Sequence, residues 1–299
     1  MNLQVAIVPA ATTAGLGSVL DERNRFDLCV TLTALLLLLY APDGWYAEIP
    51  LSLVAMAGLV FPELRKSAIL WGAATSVAAF GVFWKWHIAD NHKYLLVYWC
   101  LAIFLALLTN APERALKTTS RWLIALVFMF AVIQKTRSSD YLDGTFFYSE
   151  LLLDVRFETL ARIVGGVTGE FQSANQAKVE ALRNFSSSLS SVQLQAASAT
   201  NALAIFITWW NYLIQVVIAV LFLPITRRWR GIRNLALLLF LFTTYLFAPV
   251  IGFGWVLAVM GVAQTDPDQT RTRAAYLCAA FFLQACNIPW QSLLGRIFA

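Results

Sequence analysis

The sequence carries little charge for its length. Charged residues make up 13% of its 299 residues, whereas hydrophobic residues make up 59% and the mean hydropathy is +0.66. Soluble domains carry about twice that charged fraction, so a large soluble core is excluded. The formal net charge of +5 does not indicate a nucleic-acid partner, because the basic residues fall at the ends of apolar stretches.

Cysteine and histidine are also scarce. The four cysteines lie inside apolar stretches without framework spacing, which predicts no disulfide. The only histidines, His87 and His92, stand five residues apart and do not share a helical face. Because no third histidine exists to complete a ligand set, the sequence predicts no metal site.

Long apolar stretches dominate the rest of the chain. A bilayer span takes roughly 20 mainly apolar residues, sometimes fewer. The stretches therefore predict an all-α polytopic membrane protein with about nine transmembrane helices, plus interfacial or outer amphipathic helices. We expect one domain over residues 1–299, with spans at 26–42, 46–62, 67–86, 93–109, 121–135, 199–224, 232–248, 250–264 and 273–289.

The positions of lysine and arginine predict the orientation. The basic residues of the short connections concentrate in alternate segments: 23–25, 65–66, 114–121, 227–233 and 271–273. The positive-inside rule puts these segments and the N-terminus in the cytoplasm, so residues 136–198 lie outside a multi-pass cell-membrane protein. We interpret RRWRGIR at 227–233 as an anchor for anionic lipids, which makes membrane lipids the expected partners.

The long outer segment has two predicted parts. Residues 142–164 alternate apolar and charged positions, which predicts a helix near the interface, and ARIVGGVTGE then breaks it. Residues 172–198 predict an amphipathic helix covering the outer ends of the bundle. Its apolar stripe comprises Val179, Leu182, Phe185, Leu189, Val192 and Ala196.

Both histidines lie in WKWHIADNHKYL, residues 84–95. One interpretation is a water-exposed turn in which Trp84, Trp86 and Tyr94 form part of an aromatic belt. The other is a site completed by Lys135, which ends the fifth predicted span on the same side. A lysine shielded from water gives up its proton more readily and could act as a base, whereas at the boundary it could simply snorkel.

These stretches carry a resemblance to a known family. Asp90-Asn91-His92-Lys93-Tyr94-Leu95 is similar to the Asn-Asn-His-x-Tyr-Leu turn of vitamin K-dependent γ-carboxylase and its bacterial relatives, the HTTM (horizontally transferred transmembrane) proteins. The segment containing Lys135, Asp140, Tyr141 and Gly144 resembles that family's lysine-containing span end. The resemblance covers about residues 20–265. It implies that Lys135 is the base that deprotonates a quinol, and that His92 and Asn91 assist at the same site.

Two differences bear on this transfer. Counting back from Asp140 without a gap puts Thr136 at the family's lysine position, whereas a one-residue slip puts Lys135 there. The printed sequence also has no counterpart of the large lumenal region that captures the carboxylase's glutamate-rich substrate. We therefore do not expect full carboxylase activity.

The same residues predict an outer cavity for an apolar ring or chain with a polar head, such as a quinone or quinol. His92, Asn91 and Lys135 would bind the head, and flat aromatic surfaces would hold the apolar part. The expected lining residues are Trp84, Trp86, Asp90, Tyr94, Asp140 and Tyr141, with Phe146, Phe147 and Tyr148 nearby. The protein is then either a binding subunit serving another membrane or exported protein, or an enzyme using Lys135 as base.

Overall fold

A computed structural model describes residues 25–41, 44–183, 192–223, 228–247 and 250–286. All regular structure in these ranges is helical, which confirms the all-α prediction. The α-helices are α1 (Arg25–Tyr40), α2 (Trp45–Val60), α3 (Ala68–Trp84), α4 (Asn91–Leu107), α5 (Pro112–Arg137), α6 (Thr145–Leu153), α7 (Glu158–Ile163), α8 (Gly169–Arg183), α9 (Thr200–Leu221), α10 (Arg230–Phe247), α11 (Ile251–Gln264) and α12 (Thr270–Cys286). Short 3-10 helices lie at Pro62–Lys66 and Val155–Phe157.

The nine apolar segments predicted from the sequence correspond, in chain order, to helices α1 to α5 and α9 to α12. Two of the described helices, α5 and α9, are both long and apolar enough to cross a membrane. Four shorter apolar helices, α2, α3, α4 and α11, accompany them. The structure therefore has membrane-compatible helices. The lengths of the helices do not by themselves establish the predicted number of about nine spans.

Helix α11 lies at the centre of the bundle. Every residue from Ile251 to Gln264 is buried except Phe253. The helix packs against α1, α4, α5, α10 and α12, so it has no face left for solvent or lipid. An all-round apolar helix of this kind is expected in the interior of a bundle.

The two ends of the bundle differ in their side chains. At one end Arg25 donates to the Thr265 carbonyl at 2.7 Å, and Arg230 pairs with Asp268 at 2.8 Å. We call this the basic end; Arg23 and Arg227 of the predicted cytoplasmic segments lie outside the described residues. At the other end, the histidine end, Tyr40 donates to Gln284 at 2.8 Å.

Helices α6 to α8 and residues 192–199 form a cap on the histidine end, packed mainly on α9 through a separate apolar core. Gly144 enters α6 with φ of 90°, a left-handed conformation that favours glycine. Gly166, with φ of 72°, lies in the break between α7 and α8 that the glycines predict. The buried Thr200 hydroxyl donates to the Gly165 carbonyl at 3.1 Å, which ties this break to the start of α9.

The predicted helix over 172–198 is wrong in its extent. Helix α8 is described as far as Arg183, and residues 192–197, which the prediction placed in the same helix, have no regular structure. This segment runs back beside α8 because the Asn175 amide donates to the Gln195 carbonyl at 2.8 Å and accepts from its N–H at 2.7 Å.

The apolar stripe is also corrected. The fully buried side chains of α8 are the polar Gln172 and Asn175, whereas Val179 and Leu182 are half-buried. Val192 and Ala196 lie beyond the helix, and Phe185 and Leu189 lie outside the described residues. Hydrogen bonds to backbone groups therefore outweigh the periodic apolar pattern in positioning α8.

Candidate functional site

Lys135 begins a chain of polar side chains between α5 and α9. Its ammonium donates to the Gln215 side-chain oxygen at 2.6 Å, and the Gln215 NH₂ group donates to the Asn211 side-chain oxygen. The same ammonium lies 5.2 Å from the centroid of the buried Tyr141 ring, within range of a cation–π interaction. Gln215 and Asn211 are one helical turn apart, so their side chains stack along one face of α9.

Thr136 faces the same helix. Its hydroxyl is bonded to the Val132 carbonyl at 2.8 Å and to the Tyr212 hydroxyl at 3.0 Å. Lys135 and Thr136, the two candidates for the family's lysine position, therefore both contact α9. The last turn of α5 also carries Lys135 and Arg137, which is favourable because cations there complement the helix dipole.

The polar chain ends at a cavity of about 570 Å³ between the cap and helices α9 and α10, which we call the cap cavity. Most of its walls are apolar: Phe147, Phe157, Leu160, Val164, Ala199, Ala202, Leu203, Phe206, Ile207 and Trp210. Its polar groups are Asn211, Thr243 and Thr244. The Trp210 indole donates to Thr243 at 3.2 Å, and no described residue bonds the buried Thr244 hydroxyl. Apolar walls with a few polar groups suit a largely apolar ligand with one polar head.

His92 lies in a different place. It lines a pocket of about 290 Å³ between α1, α2 and α4, together with Tyr40, Glu48 and Asp90. The imidazole Nδ1 is 3.9 Å from the Asp90 carboxylate. The ring also packs closely on Gly252 of α11, where a Cβ atom would be 2.9 Å from its Cδ2.

Asn91 and Tyr94 line a third surface, a groove of about 500 Å³ between α4 and α5 that also includes Gln134. The Tyr94 hydroxyl donates to the Trp86 carbonyl at 2.9 Å, which closes the turn before α4. Successive residues on a helix differ by about 100° in direction. Gln134 therefore faces α4 while Lys135 faces α9.

The three residues that the resemblance implies for catalysis thus lie on separate surfaces: Lys135 towards Gln215, His92 in the pocket beside Asp90, and Asn91 in the groove. Of the expected lining residues, Tyr141 does lie beside Lys135. Asp140 accepts a hydrogen bond from Ser139 in the turn before α6. Trp84 and Trp86 are 63% and 68% exposed, which favours the aromatic-belt interpretation for both.

The cap carries its own charged group, formed by Glu150, Asp154 and Arg156. The Arg156 guanidinium pairs with Asp154 and lies 3.9 Å from Glu150. Burial, with Asp154 alongside, raises the pKa of Glu150 to about 7. Burial alone would raise the pKa of Asp154, but the bonds from Arg156 outweigh it and lower that pKa. Asp90 also helps to raise the pKa of Arg156, so the cap and the turn before α4 interact electrostatically.

Gln215 and Asn211 were missed by the sequence reasoning, although a signal was available. Both are amides one turn apart inside an apolar stretch, and polar residues within a span usually face the bundle interior or a cavity.

No protein family model matches this chain, and neither a curated protein nor a solved structure matches it.

Proposed function

We propose that this chain is a polytopic membrane protein that holds an apolar ring or chain with a polar head, a quinone or a lipid, in the cap cavity. In this role it serves another membrane or exported protein as a binding component. One observation carries the proposal: the hydrogen-bonded chain from Lys135 through Gln215 to Asn211 ends at an apolar cavity of about 570 Å³.

The direction of these hydrogen bonds indicates the ligand atom that would be bound. The Lys135 ammonium has no acceptor and can only donate, so the Gln215 oxygen faces it and the Gln215 NH₂ group faces Asn211. The Asn211 oxygen then accepts, which leaves the Asn211 NH₂ group as the donor towards the cavity. Hydrogen bonds in a chain polarise one another, so the positive charge of Lys135 strengthens that last donor. A carbonyl or ester oxygen on the ligand head is the matching acceptor.

The exposed side chains of the bundle support a membrane location. Ile69, Trp45 and Phe83 are 85%, 76% and 75% exposed, and many other large apolar side chains are also exposed. A surface of this kind would aggregate in water, whereas acyl chains in a bilayer would cover it. We propose the orientation of the positive-inside rule, with the basic end cytoplasmic and the cap outside. Trp229→Cys should be labelled by a membrane-impermeant thiol reagent only in inverted vesicles; labelling in right-side-out vesicles would reverse the assignment.

The binding role is tested by what the purified protein retains. Quinones and lipids extracted from the wild type and variants are measured by mass spectrometry. Lys135→Met and Asn211→Leu should lose the retained molecule, because each removes a donor of the chain. His92→Ala is the matched control and should retain it, because His92 lines a separate pocket. Equal retention by all of them would contradict the proposal.

A second test fills the cavity. Ala202→Trp should displace the ligand, since Ala202 lines the cap cavity. Leu213→Trp places the same ring at an exposed position of the same helix and should leave binding unchanged. Loss of the ligand in both variants would point to general disturbance of α9 rather than to occupancy of the cavity.

The alternative function is an enzyme in which neutral Lys135 takes a proton from a quinol hydroxyl, giving a quinolate and a lysine ammonium. It is favoured by the partners of Lys135: among the described residues no carboxylate lies within ion-pairing distance of it, and its contacts are the Gln215 amide and the Tyr141 ring. Quinolates react with oxygen faster than quinols do. Wild-type protein should therefore accelerate oxygen uptake by an added quinol, and Lys135→Met should not. Equal uptake with both proteins would exclude this role.

A further inference from the structure

The basic end contains a buried arginine within RRWRGIR, the segment that the sequence predicts to be an anchor for anionic lipids. In RRWRGIR, Arg228 and Arg230 are exposed, but Arg233 is only 2% exposed. Arg233 lies in the first turn of α10, and its guanidinium is 5.4 Å from the centroid of the Phe222 ring. Its side chain is therefore packed between helices, whereas those of Arg228 and Arg230 are open at the surface.

Asp266, a carboxylate that interacts electrostatically with Arg233, is already shared by other cations. Asp266 pairs with Lys117, lies 3.6 Å from Arg121 and lies 3.8 Å from Arg230. Burial acts to raise the pKa of Asp266, but these cations outweigh it and lower that pKa.

Two further buried arginines at this end have acceptors of their own. Arg25 donates to the Thr265 carbonyl at 2.7 Å and pairs with Glu113 at 3.4 Å. Arg273 donates to the Asp266 and Pro267 carbonyls at 2.9 and 3.1 Å. Buried charge at the basic end is thus generally compensated.

Arg233 is different. Its Nε and Nη2 atoms are buried and have no hydrogen-bond partner among the described residues, and the same holds for Nδ2 of the adjacent Asn234. The Asn234 oxygen accepts from the Tyr276 hydroxyl at 3.0 Å and from the Gln264 side chain. These two bonds orient the Asn234 NH₂ group as a donor. Buried donors without acceptors are rare and costly, and an uncompensated buried charge is costlier still.

We propose that Arg233 and Asn234 bind a phosphate group, carried either by an anionic phospholipid or by free phosphate. The guanidinium fork matches two phosphate oxygens, and Asn234 supplies a further donor. The site lies in the first turn of an 18-residue helix, where the helix dipole favours an anion. The surrounding cations, Lys117, Arg121 and Arg230, outnumber the two carboxylates they pair with, Asp266 and Asp268, and add to the attraction. Basic pockets between helices at a membrane surface are known to take lipid phosphate groups.

The test measures the Tm of reconstituted protein by tryptophan fluorescence under three conditions. These are discs of phosphatidylcholine alone, the same discs with millimolar inorganic phosphate against potassium chloride of equal ionic strength, and discs in which one fifth of the lipid is phosphatidylglycerol. A bound anion raises Tm because it binds the folded state only. A rise with phosphatidylglycerol alone identifies the lipid, a rise with phosphate alone identifies the free anion, and a rise with both shows that the site takes either.

Variants separate a built site from general surface attraction. Arg233→Gln should lose the rise while keeping, in phosphatidylcholine discs, a Tm equal to or above that of the wild type, because it removes an uncompensated charge. Arg233→Lys keeps the charge but loses the fork, so its phosphate affinity should fall about 10-fold or more. Arg228→Gln, the matched control at an exposed position, should respond as the wild type does.

The proposal is overturned if the wild type shows no rise under either condition, or if Arg233→Gln and Arg228→Gln respond alike. A low Tm of Arg233→Gln in every condition, with an unchanged rise, would make Arg233 a structural residue only. If Arg233→Gln does not fold, the comparison of Arg233→Lys with the wild type decides, and equal phosphate affinities would overturn the proposal.

Discussion

Replacing Gly261 by alanine would insert a methyl group where α11 packs against Tyr276 of α12. An ideal Cβ at this position would be 2.5 Å from Cε1 and 2.6 Å from Cδ1 of Tyr276, distances that packed carbon atoms do not tolerate. The Tyr276 ring is fully buried and its hydroxyl is bonded to Asn234, so the ring has no free direction in which to move. Either α12 shifts away from α11, or Tyr276 gives up its hydrogen bond.

The magnitude follows from three contributions. Overpacking a well-filled interior costs about 1–3 kcal/mol. Loss of the Tyr276–Asn234 hydrogen bond adds about 1 kcal/mol. Replacing glycine by alanine within a helix returns about 1 kcal/mol through helix propensity. We therefore expect Gly261→Ala to lower the free energy of unfolding by about 1–3 kcal/mol.

The assay is denaturant unfolding in detergent, followed by tryptophan fluorescence. Gly58→Ala in α2 is the matched control, because its Cβ would meet only the Leu70 side chain at 3.9 Å, an ordinary contact. This control should be neutral or slightly stabilising. Equal changes in the two variants would refute the inference that Gly261 is required by the close approach of Tyr276.

Three further predictions concern the histidine end. Gln215→Leu removes the acceptor of the Lys135 ammonium and should lower the free energy of unfolding by about 1.5–3 kcal/mol. The stability of the cap should fall as pH rises from about 4.5 towards 7, because the folded state keeps the Glu150 proton that the unfolded chain has lost; limited proteolysis across this range should show faster cleavage at higher pH. Gly252→Ala should displace the imidazole of His92 and shift one of the two histidine resonances in an NMR spectrum.

Each of these has its own control. Gln215→Glu keeps an acceptor for Lys135 and should retain the stability that Gln215→Leu loses. Glu150→Gln mimics the protonated acid and should abolish the pH dependence of cap cleavage; an unchanged dependence would show that another group titrates. In the Gly252→Ala spectrum the His87 resonance is the internal reference, and identical His92 resonances in both proteins would contradict the close packing.

The sequence by itself determined the helices of the bundle, because each is a continuous apolar stretch and helical hydrogen bonds are local. Charge and turn residues determined where these stretches end. Pro112 and Glu113 lie in the first turn of α5, Lys135 and Arg137 lie in its last turn, and all four suit the polarity of a helix. Gly144 and Gly166 likewise mark turns that require positive φ. These features depend only on near neighbours in the chain.

Only the tertiary structure decided which side chains meet. Lys135 and its acceptor Gln215 are 80 residues apart, and no local pattern pairs them. Residues that are adjacent in the sequence also contact different surfaces, because successive residues on a helix differ by about 100° in direction. Lys135 faces α9 whereas Gln134 faces α4, and His92 and Asn91 line separate pockets.

The cap and the basic end show the same division. The apolar periodicity of 172–198 predicted one long helix, but Asn175 binds the backbone of Gln195 and brings the chain back beside α8. The composition of RRWRGIR indicated an anchor for anionic lipids. Helical geometry and packing buried Arg233 against Phe222 while leaving Arg228 exposed. Composition sets how many charges a segment carries, whereas the direction of each side chain depends on the helices that pack around it.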